Sequence, residues 1–351
     1  MNGKYFYWLD NFRFLAFFLV FWQHSFAHSL HMFFPDSEGS YMKAFMDTGG
    51  IGVHLFFVLS GFLITFLLIK EHNRDGGINI KKFYVRRCLR IWPLYYLVML
   101  LGIFILPNIF NTFQYCENPM YSLTFLNNFD MNLACYSPNI QIAWSVAIEE
   151  QFYLIWPIIF YFSFGNKYFP FLVFSILALG VLFTYQNPEV SYLHTFGNVS
   201  YLMTGCIGAY FYSYLTPKHW SIIKNKFIFY TIFCLLIALL IWNNGSSNNL
   251  LYTFVAPIIF LYFIIYLTKK EGNRYVKINQ LGKYTYGMYM LHPMFIVLVK
   301  IIFDIFNFNY AENGWLQIIL STIALIATII FSYISFEYFE KHFLKLKNKY
   351  G

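Results

Sequence analysis

Charge is scarce in this chain of 351 residues: Asp, Glu, Lys and Arg together make up 11%, against about 25% in an ordinary soluble domain. So few charges cannot cover the surface of a 41.8 kDa protein in water, which excludes a soluble enzyme, a disordered chain and a disulfide-stapled secreted module. Cysteine is sparse too, with five residues. Internal repeats and low-complexity tracts are absent. No cluster of His, Cys, Asp and Glu has the spacing of metal ligands, so no metal is expected. What fills the chain is apolar: 59% is hydrophobic, 23% is aromatic with 44 Phe and 30 Tyr, and the mean hydropathy is +0.52. A polytopic membrane protein meets these conditions. The net charge of +8 would suggest nucleic acid only if the basic residues formed a soluble patch. They fall between apolar runs instead, so orientation in a bilayer explains them and no nucleic-acid partner is expected.

Ten apolar runs are long enough to cross about 30 Å of hydrocarbon. They cover roughly 14–33, 50–69, 91–110, 143–164, 169–186, 196–214, 227–243, 250–267, 284–303 and 315–336. With the N-terminus inside, 22 of the 24 Lys and Arg residues fall in cytoplasmic segments, and only Lys43 and Lys300 fall toward the other side. The expected fold is therefore all-α, with about ten transmembrane helices and both termini cytoplasmic. One transmembrane domain is expected to occupy 1–351, with no soluble extra domain. The first run is too long for a cleaved signal peptide, and no small-x-small site follows it. The polar segment 111–141 reads as the longest outer loop and holds Cys116 and Cys135, as a disulfide or as two free thiols.

Ionisable groups inside apolar runs need a reason to be there. The first run contains LDNFRFLAFFLVFWQHS. In a regular helix Arg13 and His24 are separated by three turns plus about 20°, so they share a face about 16 Å apart along the axis. Asp10, one turn before Arg13, is placed to orient it. A neutral imidazole can take a proton from a hydroxyl, although hydrogen bonding to a neighbouring helix would explain His24 as well. In the second run, GGIGVHLFFVLSGFLIT, close helix packing accounts for the glycines, and His54 sits near the outer end, where it could reach interfacial water, and reads as a structural residue. Arg86, Arg87 and Arg90 cluster in FYVRRCLRIWPLYYL, with Arg87 and Arg90 on one face. They suit either phosphate binding or plain positive-inside anchoring, and Trp92, Tyr95 and Tyr96 fit an interfacial belt. Glu149 and Glu150 in AWSVAIEEQFYLIWP point 100° apart, so one can serve a site while the other pairs elsewhere. In LGKYTYGMYMLHPMF, Tyr289 and His292 are neighbours at i, i+3, and Pro293 frees a helix carbonyl beside them. His292 is placed either as a second polar wall or as a structural histidine.

Taken in order, these five segments resemble the membrane acyltransferase-3 family, bacterial enzymes that modify surface glycans. The matching pieces run from Leu9 to Pro293. The resemblance implies that Arg13 and His24 are needed for activity and that Arg87 and Arg90, with Arg86 beside them, engage an acyl-CoA donor from the cytoplasm. It also implies that Glu149 rather than Glu150 is the family's acidic position. The family's Ser-Gly-Phe falls on Ser60, Gly61 and Phe62. The expected activity is transfer of an acyl group, most simply acetyl, from acyl-CoA to a hydroxyl of a surface glycan or lipid-linked glycan. The setting is the bacterial inner membrane, among membrane lipid, and no permanently bound cofactor is expected. His24 would act either as general base or as an acyl-imidazole nucleophile, with Glu149 orienting it. The rival reading is a secondary transporter or export factor for a glycan or acyl compound.

Overall fold

The computed structural model describes residues 7–34, 49–110, 113, 118–129, 138–243, 250–268 and 281–347. Among the described residues every regular element is helical. Helix α1 runs as an α-helix over Tyr7–Phe21, widens to a π-helix over Trp22–Phe26 and returns to α over Ala27–Phe33. Next come α2 (Gly50–Asp75) and α3, which is Ile80–Leu100 followed by a π segment Leu101–Ile105 and Leu106–Ile109. Helices α4 (Trp144–Ser163), α5 (Phe169–Gln186), α6 (Thr195–Tyr212), α7 (Lys226–Asn243), α8 (Leu250–Thr268) and α9 (Thr285–Ile305) follow. Helix α10 is Gly314–Ser335 and continues through a π segment, Phe336–Glu340, into Lys341–Lys347.

Seven of these helices, α2, α3, α5, α7, α8, α9 and α10, are long and apolar enough to cross a membrane, so the chain is an all-α polytopic membrane protein. Ten were expected, and the three that fall short carry the polar load. Helix α1 dilutes its apolar run with Gln23, His24, His28 and His31. Helix α4 dilutes its apolar run with Glu149, Glu150 and Gln151, and α6 does so with Asn198, Gly197, Gly205 and Gly208.

The chain divides into two compact units. The first is Met1–Gln23, Asp36–Ile78 and Tyr161–Lys283; the second is His24–Pro35, Asn79–Phe160 and Tyr284–Gly351. In the first, α2 and α6 meet backbone to backbone. A Cβ on Gly61 would strike the Leu202 carbonyl, and one on Gly205 would strike the Val58 carbonyl. Lipid gives helices no hydrophobic reason to associate, so this close van der Waals approach is what joins them. Gly61 of the Ser-Gly-Phe triplet is therefore a packing residue. Gly165 turns the chain between α4 and α5 with φ 89°, which lets two helices follow one another across a very short link.

In the second unit α9 packs along α10, and the end of α10 returns to α3. The segment 118–129, expected in an outer loop, folds back against the middle of α3 and α4. Tyr95 is fully buried and donates to Ser122 O at 2.6 Å, and Tyr96 donates to Leu123 O at 3.1 Å. Gln151 of α4 donates to Phe125 O and to Asn128, both at 2.8 Å. The segment is a short helix, Pro119–Leu123, followed by irregular backbone, and irregular backbone among spans survives only when protein covers it and satisfies it. Tyr95 is thus an interior residue rather than part of a lipid-facing belt, because the returning segment offers it a carbonyl and the ring of Phe125, whereas Trp92 keeps an exposed face.

Substituting Gly61→Ala tests the packing. Helix propensity alone favours Ala by about 1 kcal/mol. The carbonyl of Leu202 reverses that sign, and a loss of about 1–3 kcal/mol is expected, read as a lower unfolding temperature in detergent.

Candidate functional site

His24 lies within the π segment of α1, so the regular-helix arithmetic that aligns it with Arg13 ends at Phe21. A π turn in a long helix is a local cost that commonly marks a functional position. Two bonds secure it within the second unit. Ser25 donates to Ser321 of α10 at 2.8 Å, and Ser321 donates in turn to Gln317 O at 2.8 Å. The Nδ1 of His24 lies 2.9 Å from Nε2 of His292 on α9, with the two rings nearly parallel at 7°. His24 is exposed, whereas His292 is fully buried and its Nδ1 lies 2.8 Å from the Tyr289 carbonyl. The Tyr289 hydroxyl bonds Ser145 of α4 at 2.6 Å. An imidazole open on one edge and tied on the other is therefore braced by α9 and α10, with α4 supporting Tyr289.

A second cluster joins α3, α4 and α10 in the same unit. Arg87 lies 5.5 Å from the ring centres of both Phe83 and Tyr153. The Tyr153 hydroxyl donates to Glu149 Oε2 at 3.1 Å. Trp92 Nε1 donates to Glu150 Oε2 at 2.8 Å, and Glu150 is within Coulombic reach of Arg87. Glu340, buried in the π segment of α10, accepts from Ser335 at 3.1 Å and is within Coulombic reach of Arg90. Arg90 is exposed and Arg86 half-buried. Helix α9 serves both clusters. Tyr286 donates to Ile91 O at 2.9 Å within Coulombic reach of Glu150 and Glu340, and Tyr289 and His292 follow at successive turns.

The structure thus brings Glu149 to Arg87 through Tyr153, and gives His24 a different partner, His292. Arg13 belongs to the first unit, where it pairs with buried Asp10 at 2.7 Å. His54 is a buried structural residue, out of reach of interfacial water. It stacks on Tyr201 at 4.2 Å, and its Nδ1 lies 3.2 Å from the Tyr252 hydroxyl. Cys116 and Cys135 lie outside the described residues. Among the described residues no group of three His, Cys, Asp or Glu is placed to hold a metal ion. Glu340 escaped sequence reasoning because it falls after the last apolar run. The doubled aromatic-acid pattern of FEYFE was the available signal.

These features define a helical multi-pass membrane protein with polar residues gathered between its helices. The chain belongs to the acyltransferase domain family, whose model matches residues 6–337. It is 29% identical over 336 residues to a Staphylococcus aureus (strain COL) protein provisionally named an O-acetyltransferase, covering 86% of this chain and 54% of that one. It is 27% identical over 331 residues to the peptidoglycan O-acetyltransferase OatA of Listeria monocytogenes, covering 83% and 51%. The O-acetyltransferase OatA of Staphylococcus aureus (strain NCTC 8325 / PS 47) is 25% identical over 329 residues, covering 84% and 52%. The chain spans about half the length of these relatives. No solved structure matches it significantly.

The Trp92–Glu150 bond has a measurable weight. Trp92→Phe keeps the ring and removes the donor, leaving Glu150 short of a hydrogen bond. A loss of about 1–3 kcal/mol in unfolding free energy is expected, with Glu150→Gln recovering part of it in the double variant.

Proposed function

We propose that this chain is a membrane O-acyltransferase that moves an acetyl group from cytoplasmic acyl-CoA to a hydroxyl of a cell-surface glycan. It would do so from a bacterial cytoplasmic membrane crossed ten times, with both ends inside. The observation that carries the reading is an exposed imidazole, His24, held within a helix of a chain that belongs to an acyltransferase family. Peptidoglycan joins polysaccharide among the acceptors because a relative is named for it.

In the proposed step the acceptor hydroxyl oxygen bonds to the thioester carbonyl carbon while His24 takes the hydroxyl proton. The carbon–sulfur bond then breaks, and the imidazolium returns the proton to the departing thiolate. Ester and thiol are the products, and nothing is oxidised or reduced. The donor's phosphates call for cations, and the guanidinium groups of Arg86, Arg87 and Arg90 suit them. Arg90 is the exposed member of the three. Glu149, through Tyr153, steadies Arg87. For Arg13 the reading rests on the family resemblance, with Asp10 keeping its guanidinium in place.

The test is transfer of a labelled acetyl group from acetyl-CoA by the full chain in detergent, without an ion gradient. General-base catalysis is worth about 10²–10⁴-fold, so His24→Ala should lower turnover by at least that much with unchanged expression and unfolding temperature. A normally folded His24→Ala protein with near-normal transfer removes His24 from the chemistry. A chain that transports but never consumes acyl-CoA removes the enzyme reading.

A further inference from the structure

The hydrogen bonds around His292 fix the position of every proton on the two histidines. In an α-helix each N–H bonds the carbonyl four residues earlier, and proline has no N–H. Pro293 therefore leaves the Tyr289 carbonyl without its helical donor, and His292 Nδ1 lies 2.8 Å from that oxygen. A carbonyl only accepts, so Nδ1 of His292 carries a hydrogen. His292 has no exposed surface and sits inside a membrane-spanning helix, where a charged ring is costly, so the imidazole is neutral and its Nε2 is a bare lone pair. That lone pair faces His24 Nδ1 at 2.9 Å, a contact that requires the hydrogen to sit on His24 Nδ1. One proton remains for a neutral ring, and it is already placed. Nε2 of His24 is consequently the unprotonated nitrogen, and no hydrogen bond occupies it among the described residues.

We propose that His292 is a positioning residue that locks His24 in the Nδ1–H tautomer and so makes Nε2 of His24 the atom that takes the acceptor's proton. Its catalytic half rests on the reading of His24 given above; the tautomer itself rests on the hydrogen bonds and on both rings being neutral. An untethered neutral imidazole visits both tautomers and rotates about two side-chain bonds, and only one form in one orientation offers a base to the substrate. When His24 takes the proton, its Nδ1–H bond to His292 strengthens, because its donor is then charged. A carboxylate does this in a hydrolase triad; here a neutral imidazole, itself aligned by a proline-freed carbonyl, takes that place. Glu149 is not needed for it.

The experiment uses the full chain in detergent with nitrogen-15-labelled histidine. The His24 signals, assigned by their loss in His24→Ala, should show a protonated Nδ1 and a pyridine-like Nε2. In His292→Leu they should become those of a tautomer mixture. With acetyl-CoA, His292→Leu should lower kcat by about 10²–10⁴-fold with KM little changed. His292→Gln, whose side-chain oxygen reaches the position of the lost lone pair, should recover at least about tenfold of that. A protonated Nε2 on His24 in the wild-type protein overturns the inference, whatever the variants do. So does a folded His292→Leu protein with full kcat, or a folded His292→Gln protein no better than His292→Leu. If wild type and His24→Ala are equally inactive while the tautomer signals appear as expected, the acyltransferase reading has failed and the hydrogen-bond assignment has not.

Discussion

Inside hydrocarbon a polar group has no water to fall back on, and every polar residue described here is placed by that constraint. Tyr95 takes a carbonyl from the returning segment, Glu150 takes the indole of Trp92, His54 takes Tyr252, and His292 takes the carbonyl that Pro293 releases. The first three pairings tie stretches that are distant in sequence, and the fourth is local to α9. The polar residues specify which helices meet, a task that apolar surface cannot perform where the solvent is itself apolar. His24 stands apart: one nitrogen is bound, and the ring keeps an open edge.

Two kinds of contact complement each other. In the first unit, α2 and α6 approach through glycine until backbone meets backbone, which gives a rigid contact without polar cost. In the second, α3, α4, α9 and α10 meet through arginines, carboxylates and tyrosine hydroxyls, where geometry rather than area decides the fit. Chemistry needs the second kind, because a base or a cation must point in one direction. The first kind suits a helix whose task is to stay where it is.

Much of this was legible in the sequence. Helix α5 spans Phe169–Gln186, the limits expected from its apolar run, because Gly165, Asn166 and Lys167 interrupt the hydropathy just before it. Asp10 as the partner of Arg13, and the carbonyl beside His292, could be read because both relations are local to one helix. What periodicity cannot report is contact across the chain. His24 and His292 are 268 residues apart, and Tyr95 reaches a carbonyl 27 residues away. Glu149 is the expected partner of His24 because a carboxylate is the familiar partner of an imidazole, whereas His24 lies against His292 and Glu149 against Tyr153. Tyr95 looked interfacial because composition describes a side chain and not the segment that folds over it.

The widened turn of α1 also imposes an order of assembly. Its two anchors, Ser321 and His292, are translated 296 and 268 residues after the groups they secure. When the first helix enters the bilayer neither partner exists, and nothing offsets the cost of widening the turn. The segment therefore begins as an ordinary helix and changes register only when the last two helices arrive beside it. A chain interrupted before α9 would lack the partner that holds the His24 ring.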